Sequence, residues 1–205
     1  MIIVHHLIIG RSIFTVWLLE ELGLEYELVT YERHPETMRA PASLKEAHPL
    51  GKSPVIVDDG MTIAESGAIA SYLLERYDPE NKLSPPRSDI PRWTTFTQWL
   101  HYAEGSVFAP LLITMLLQRA QQPPGLLDMF ATAEVQLQLD YTADQLGDND
   151  YIMEDGFSAA DIGIGYMMSM AQRLELLDNY PSLDAYAKRV QSRPAFLRAF
   201  DRTGG

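Results

Sequence analysis

The most informative stretch of this chain is His48-Pro49-Leu50-Gly51-Lys52-Ser53-Pro54-Val55. A proline that enters a β-strand donates no hydrogen bond to a neighbouring strand. Pro54 therefore predicts an unpaired strand edge beside a turn. An extended, peptide-like ligand can pair along Ser53 at that edge.

A second motif, Glu65-Ser66, begins eleven residues after Pro54 and opens an apolar stretch with helical spacing (Ile69, Leu73, Leu74, Tyr77). The motif therefore lies at a helix N-terminus, where unpaired N–H groups and the helix dipole favour a ligand carboxylate. Together the two motifs predict a site for a small, doubly charged peptide.

In the N-terminal part of the chain, which contains both motifs, short β-rich runs alternate with helical ones in the order β-α-β-(α)-β-β-α. Gly23 ends the first helix, and Asp58-Asp59-Gly60 is a turn between two antiparallel strands. A small mixed sheet with helices follows for residues 1–80. The predicted strands and main helices cover residues 2–7, 12–22, 26–31, 55–57, 61–63 and 66–77.

Residues 78–91 contain four prolines and few apolar side chains, which places a linker over residues 81–91. Beyond it, residues 92–205 show apolar residues at helical spacing and no persuasive strand, so this half is predicted to be all-helical. Pro110 should kink or end a segment of its first long helix.

Composition excludes several classes of function. The formal charge of -12 opposes binding to nucleic acid or to an anionic membrane. Because the chain has no cysteine, any thiol chemistry must use a sulfur atom from the ligand. We see no leader peptide and no apolar run near the roughly 20 residues of a spanning helix, so we expect a cytoplasmic protein.

Two other patterns indicate structure rather than chemistry. Ser158 and Asp161 form a helix-start pattern in which each side chain caps the backbone of the other. His5 and His6 alternate across the first strand and cannot readily share a metal ion, so no metal site is expected.

Several motifs together resemble the cytosolic glutathione transferases, specifically a bacterial and fungal branch of that family. The resemblance covers nearly the whole chain. The motifs are His5-His6-Leu7, Trp17-Leu18-Leu19-Glu20-Glu21-Leu22-Gly23-Leu24, the Pro54 and Glu65 segments quoted above, and Tyr102-Ala103-Glu104-Gly105-Ser106.

The resemblance implies a thioredoxin-like N-terminal domain, an all-α C-terminal domain and a homodimer that binds one glutathione per subunit. It implies that Pro54 is cis and that the backbone of Ser53 faces the cysteinyl unit of glutathione. Glu65 and Ser66 would hold the γ-glutamyl group, and Lys52 would reach the glycyl carboxylate.

The implied chemistry is attack by the glutathione thiolate, which needs a donor near the first helix to lower the thiol pKa. Related sequences carry Asn or Ser in the loop before this helix, where this chain has Ile9 and Gly10. The remaining candidates are the backbone N–H groups of Gly10 and Arg11, the Arg11 guanidinium and the Ser12 hydroxyl. We favour the backbone groups assisted by Arg11, with Ser12 as a helix N-cap.

The co-substrate, a small hydrophobic electrophile, is expected near Tyr102, Glu104 and Ser106, on the helix that faces the thiol in the family. Tyr102 is equally consistent with a core position. Met167, Met168 and Met170 are interpreted as core packing.

Three functions remain open from the sequence. The first is a glutathione transferase of the detoxifying kind, which joins the thiolate to an electrophile or exchanges it at a disulfide or peroxide. The second is a glutathione-binding or ligand-carrying protein with little activity, and the third is a partner-binding module that keeps only the fold.

Overall fold

The computed structural model describes residues 1–121 and 123–204. They form two compact units. One comprises residues 1–81 together with the C-terminal segment from Ser192 onward, and the other comprises residues 82–191.

The first unit is built on a mixed four-stranded sheet with the order β2-β1-β3-β4. Strand β1 pairs parallel with β2 and antiparallel with β3, and β3 forms an antiparallel hairpin with β4. The thioredoxin-like order predicted from the sequence is confirmed. The elements are β1 (Ile2–Leu7), α1 (Ile13–Leu22), β2 (Tyr26–Tyr31), α2 (Leu44–Ala47), β3 (Val55–Asp58), β4 (Met61–Ala64) and α3 (Ser66–Tyr77).

Local chemistry explains how these elements end. Gly23 takes the left-handed conformation, with φ of 66°, and closes α1 as predicted. Asp59 and Gly60 both have positive φ in the turn between β3 and β4.

The C-terminal helix α9 (Pro194–Thr203) belongs to the first unit, which differs from the predicted helical domain over residues 92–205. Its Phe196 ring packs edge-on against Trp17 of α1, with the ring centroids 4.9 Å apart. The Arg193 guanidinium also forms a two-pronged ion pair with the buried Glu21 carboxylate, at 2.6 and 2.8 Å. The helical periodicity was right, but it carried no information about which unit the helix packs on.

The second unit is all-helical in the part of the chain that the structure describes, as predicted. Its first helix, α4, begins at Ile90, inside the last residues of the predicted linker. The helices are α4 (Ile90–Tyr102), α5 (Phe108–Ala120), α6 (Leu126–Leu146), α7 (Ala159–Arg173) and α8 (Pro181–Gln191).

A π-helical turn (Ala103–Val107) joins α4 to α5, so the chain runs helically from Ile90 to Ala120. Pro110 lies in the first turn of α5, where its ring would clash with the carbonyl of Ser106 in a regular α-helix. The wider π turn relieves that conflict. The proline effect predicted from the sequence thus takes the form of a π turn.

This 31-residue helical run is also long and apolar enough to cross a membrane by length and composition, with a mean hydropathy of 1.4 over its most apolar window. The sequence expectation considered only continuous apolar runs and missed this average. Because a helix of a soluble protein passes the same test, the feature assigns no membrane role by itself.

The predicted reciprocal cap forms at the start of α7. The Ser158 hydroxyl accepts a hydrogen bond from the backbone of Ala160, and the Asp161 carboxylate accepts one from the N–H of Ser158 at 2.8 Å. Met167 and Met168 on the same helix are fully buried, which confirms their interpretation as core.

Candidate functional site

The strand register brings three predicted site segments to one end of the sheet. Strand β3 pairs with β1 on one side and with β4 on the other, so Pro54 precedes an inner strand, which corrects the strand edge predicted there. His5 of β1 is opposite Val55 of β3, and Val55 is opposite Ala64 of β4. Three segments therefore leave the sheet at this end. They are the loop that follows β1, the Ser53-Pro54 pair that precedes Val55, and Glu65, which follows Ala64.

The Ser53 side chain is hydrogen-bonded to the backbone of β1 at this end of the sheet. Its hydroxyl donates to the carbonyl of His5 at 2.7 Å and accepts from the N–H of Leu7 at 3.2 Å. The peptide bond between Ser53 and Pro54 is cis, as the resemblance implies. With the side chain committed to β1, the backbone of Ser53 is the part that a ligand can pair with.

Glu65 takes a backbone conformation that is rare for a residue with a side chain, with φ of 72° and ψ of 120°. Such strain persists only where the surrounding structure enforces it, and it concentrates at functional sites. Glu65 immediately precedes α3, and its carboxylate is exposed and does not cap that helix. Ser66 is the buried first residue of α3, and Lys52 is exposed beside Ser53.

The loop between β1 and α1 is also strained. Ile9 has a φ of 55°, a genuine outlier for a β-branched residue, and its side chain is 60% exposed. Gly10 must be glycine because a Cβ atom there would lie 2.6 Å from the carbonyl oxygen of Leu7. Within the part of the chain that the structure describes, the N–H of Gly10 makes no hydrogen bond.

Ser12 lies before α1 but does not cap it, which corrects the predicted N-cap role. Its fully buried hydroxyl lies 2.7 Å from Nδ1 of His6, while Nε2 of His6 lies 3.0 Å from the carbonyl oxygen of Thr203. Because a carbonyl only accepts, Nε2 carries the imidazole proton and Nδ1 accepts the proton of Ser12. The single proton of Ser12 is therefore directed at His6.

His6 is held in its neutral form by its surroundings. Burial lowers the pKa of His6 below its ordinary value, and the hydrogen bond to the Thr203 carbonyl opposes this effect only in part. The network of Ser12, His6 and Thr203 thus ties the start of α1 to the end of α9.

In the second unit, Tyr102 is part of an aromatic cluster. Its ring packs against Trp99 and Tyr141, with centroids 5.2 and 5.3 Å away, and its hydroxyl donates to the carbonyl of Gln138 at 3.3 Å. Burial raises the pKa of the Tyr102 hydroxyl. Glu104 and Ser106 lie half-buried in the π turn.

Sequence reasoning missed Arg33, which follows β2. Its guanidinium donates to the carbonyls of Ile8, Ile9 and Met38 at 2.8, 2.8 and 2.9 Å. An arginine in a polar loop carries no sequence signal for such a role. His6 was considered as a metal ligand and as part of the His5-His6-Leu7 motif, and the separation of 197 residues from Thr203 hid its structural role.

Among the described residues, no group of three or more His, Cys, Asp or Glu side chains could hold a metal ion. The arrangement offers instead backbone pairing at Ser53, a helix N-terminus at Ser66 and an open N–H at Gly10. The sheet of the first unit, with its helices, defines a thioredoxin-like protein.

Comparisons with known proteins identify the family. Residues 4–75 match the model of the glutathione S-transferase N-terminal domain, and residues 112–198 match that of the C-terminal domain. The chain is 33% identical to glutathione S-transferase 3 of Schizosaccharomyces pombe, over 95% of this chain and 85% of that protein. The chain belongs to the glutathione S-transferase family, and the resemblance seen in the sequence is confirmed.

Solved structures agree. A glutathione S-transferase from Actinobacillus pleuropneumoniae is 32% identical and superposes with a TM-score of 0.88, covering 100% of this chain and 94% of that one. A glutathione transferase homolog from Lodderomyces elongisporus, solved with two glutathione molecules per subunit, has the same fold, with a TM-score of 0.84 at 20% identity and 98% coverage of both chains.

Proposed function

We propose that this protein is a catalytically active glutathione transferase whose thiolate is stabilised by the backbone rather than by a side-chain hydroxyl. One observation carries the proposal. Three features lie at the same end of the sheet: Ser53-Pro54, Glu65-Ser66 and the Gly10 N–H. Each element supplies what one part of an extended tripeptide needs.

Glutathione lies across this end of the sheet, with its cysteinyl unit paired to the backbone of Ser53. The γ-glutamyl carboxylate receives the N–H groups at the start of α3 and the Ser66 hydroxyl, and its amine pairs with the Glu65 carboxylate. Lys52 neutralises the glycyl carboxylate. This assignment uses the strained backbone of Glu65 and its exposed carboxylate beside the helix start.

The thiol loses its proton to water, and the sulfur remains as a thiolate opposite the N–H of Gly10, with the Arg11 guanidinium adding positive charge. Ser12 is a structural residue in this scheme, because its proton is directed at His6. In conjugation the thiolate forms a bond from sulfur to carbon while the bond to the leaving group breaks, and the electron pair departs with that group.

The alternative, a glutathione carrier with little activity, differs in one measurable property. A carrier binds glutathione without lowering the thiol pKa, whereas a transferase lowers it. The open donor at Gly10 favours the transferase.

The electrophile is a small hydrophobic molecule, and we assign its contacts to Tyr102, Glu104 and Ser106. The half-buried π turn supports this assignment, since π turns concentrate at functional sites. We further propose that the protein is a cytoplasmic homodimer, as its family resemblance implies.

Calorimetry with Ser66→Ala tests the site. Loss of one charge-assisted hydrogen bond should weaken glutathione binding by about 1–2 kcal/mol. Ser43→Ala is the control, because Ser43 precedes the short helix α2 and its side chain caps nothing there. Absence of glutathione binding by the unmodified protein at millimolar concentration would refute the proposal.

A further inference from the structure

The Arg33 side chain binds two carbonyl groups of the β1–α1 loop. Arg33 donates from Nε to the carbonyl of Ile8 and from a terminal nitrogen to the carbonyl of Ile9, both at 2.8 Å. Its other terminal nitrogen donates to the carbonyl of Met38 at 2.9 Å. The planar guanidinium thus connects the loop after β1 with the loop after β2.

These contacts offset the unfavourable backbone of Ile9. A β-branched residue in the left-handed region is destabilised by about 1–2 kcal/mol relative to ordinary backbone. Two hydrogen bonds from a charged donor, one to the carbonyl before Ile9 and one to its own, are of the size needed to hold it there.

The direction of the Gly10 N–H follows from the hydrogen bond between Arg33 and the carbonyl of Ile9. In a planar trans peptide the C=O and the next N–H point in opposite directions. The peptide between Ile9 and Gly10 is trans, and its carbonyl points at Arg33. The N–H of Gly10 therefore points away from Arg33 and is unpaired among the residues that the structure describes.

We propose that Arg33 is a positioning residue for thiol activation: by binding the Ile8 and Ile9 carbonyls it aims the Gly10 N–H at the glutathione sulfur. This inference rests on the proposed function. Arg33 acts through the peptide and does not touch the sulfur. Its positive charge on the carbonyl also polarises the peptide, which strengthens the N–H as a donor to an anion.

The decisive variant is Arg33→Gln, with Arg33→Lys beside it. Gln removes the charge and the planar set of N–H donors, whereas Lys keeps the charge and loses the planar geometry. Arg39→Gln is the matched control, because Arg39 is an exposed arginine in the same loop and the change in charge is identical. Three quantities are measured for each: the dissociation constant of glutathione by calorimetry, the pKa of its bound thiol by ultraviolet absorbance, and the pH profile of kcat/KM with an aromatic halide.

We expect Arg33→Gln to raise the bound thiol pKa by about one unit, which lowers the thiolate fraction and kcat/KM by up to about tenfold at pH values below the thiol pKa of the unmodified protein. The loss should disappear above the raised pKa, and glutathione affinity should stay within about twofold because the contacts at Ser53 and Ser66 are untouched. Arg33→Lys should fall between, and Arg39→Gln should leave the thiol pKa unchanged.

The outcomes separate the two hypotheses. An unmodified protein that does not bind glutathione, or binds it with an ordinary thiol pKa, refutes the proposed function. A lowered thiol pKa in the unmodified protein that Arg33→Gln leaves in place overturns the role of Arg33 alone. If neither Arg33 variant folds, the amide proton signal of Gly10 in the unmodified protein decides: it must shift on glutathione binding and titrate with the thiol, and a signal that stays fixed overturns the inference.

Discussion

At the scale of single residues, the site depends on where protons and peptide planes point. Ser12 illustrates this point, because its position before α1 makes it look like a thiol donor, while its proton is directed at His6. Gly10 has no side chain to contribute and instead provides an open backbone donor.

Replacing Ser12 by Ala tests this distinction. The change leaves the buried Nδ1 of His6 without its donor, so we expect the free energy of unfolding to fall by about 1–2 kcal/mol. The pKa of bound glutathione should not change, because Ser12 does not reach the sulfur in our scheme. Urea unfolding and thiolate titration measure the two effects, and a large upward shift of the thiol pKa would restore Ser12 as the activator.

Ile9→Gly tests the strain in the loop. Glycine adopts positive φ without a steric penalty, and the exposed Ile9 side chain buries little surface. We expect a gain of about 1 kcal/mol in the free energy of unfolding. Ile9→Ala is the control because it keeps a Cβ atom at the strained position, and it should gain less. Equal stability of the two variants would argue against strain.

At the scale of elements, buried polar groups fix helix ends. The Asp161 carboxylate at the start of α7 accepts from the N–H of Ile152 and of Ser158 at 2.8 Å each, and from the Tyr186 hydroxyl at 2.9 Å. Burial raises the pKa of Asp161, and these hydrogen bonds oppose that rise. One side chain thus joins α7, α8 and the segment before α7.

Asp161→Ala should lower the free energy of unfolding by about 3 kcal/mol, because it leaves several buried donors without an acceptor. Asp161→Asn keeps one acceptor oxygen and should have a smaller effect. Ser158→Ala removes only the hydroxyl of the cap and should have an effect of about 1 kcal/mol. Denaturant unfolding ranks the three variants, and a nearly neutral Asp161→Ala would contradict this account.

At the scale of the whole molecule, the buried His6 and the half-buried His5 give the stability a pH dependence. Burial lowers the pKa of His6 and of His5. The unfolded chain therefore binds more protons than the folded one just below pH 6.5, so stability is fully present above that value and falls as the pH drops through it. His6→Gln should remove part of this slope, because Gln keeps the donor to Thr203 and does not titrate. Unfolding curves between about pH 5 and 8 give the slope of stability against pH. If His6→Gln leaves this slope unchanged, other titrating groups cause the pH dependence.

The oligomeric state is also a property of the whole molecule. Large apolar side chains are exposed on α5 and α6, at 52% for Leu116, 54% for Phe130 and 57% for Leu137. Exposed apolar side chains on these two helices are consistent with a surface that a partner covers. The family resemblance implies packing of the N-terminal half of one subunit against the helical half of the other. Light scattering at micromolar concentration should give twice the chain mass of 23.1 kDa, and a monomer would contradict this prediction.

Contiguous sequence patterns were enough to predict the sheet and helices of residues 1–80 and the segments of the candidate site. Alternation and helical spacing are local patterns, so β1, β2 and α3 could be predicted to the residue, as could the turn at Gly60 and the cap at Ser158. The proline and glutamate motifs carried the family resemblance because they are contiguous.

The contacts between groups that are distant in the sequence could be seen only in the folded protein. Arg33 contacts the β1–α1 loop across 24 and 25 residues, and His6 contacts Thr203 across 197 residues. The placement of α9 against α1 likewise depends on long-range packing of Phe196 on Trp17. Periodicity specifies which face of an element is apolar but not which partner covers it. The direction of a proton or peptide plane is settled only when those partners are in place.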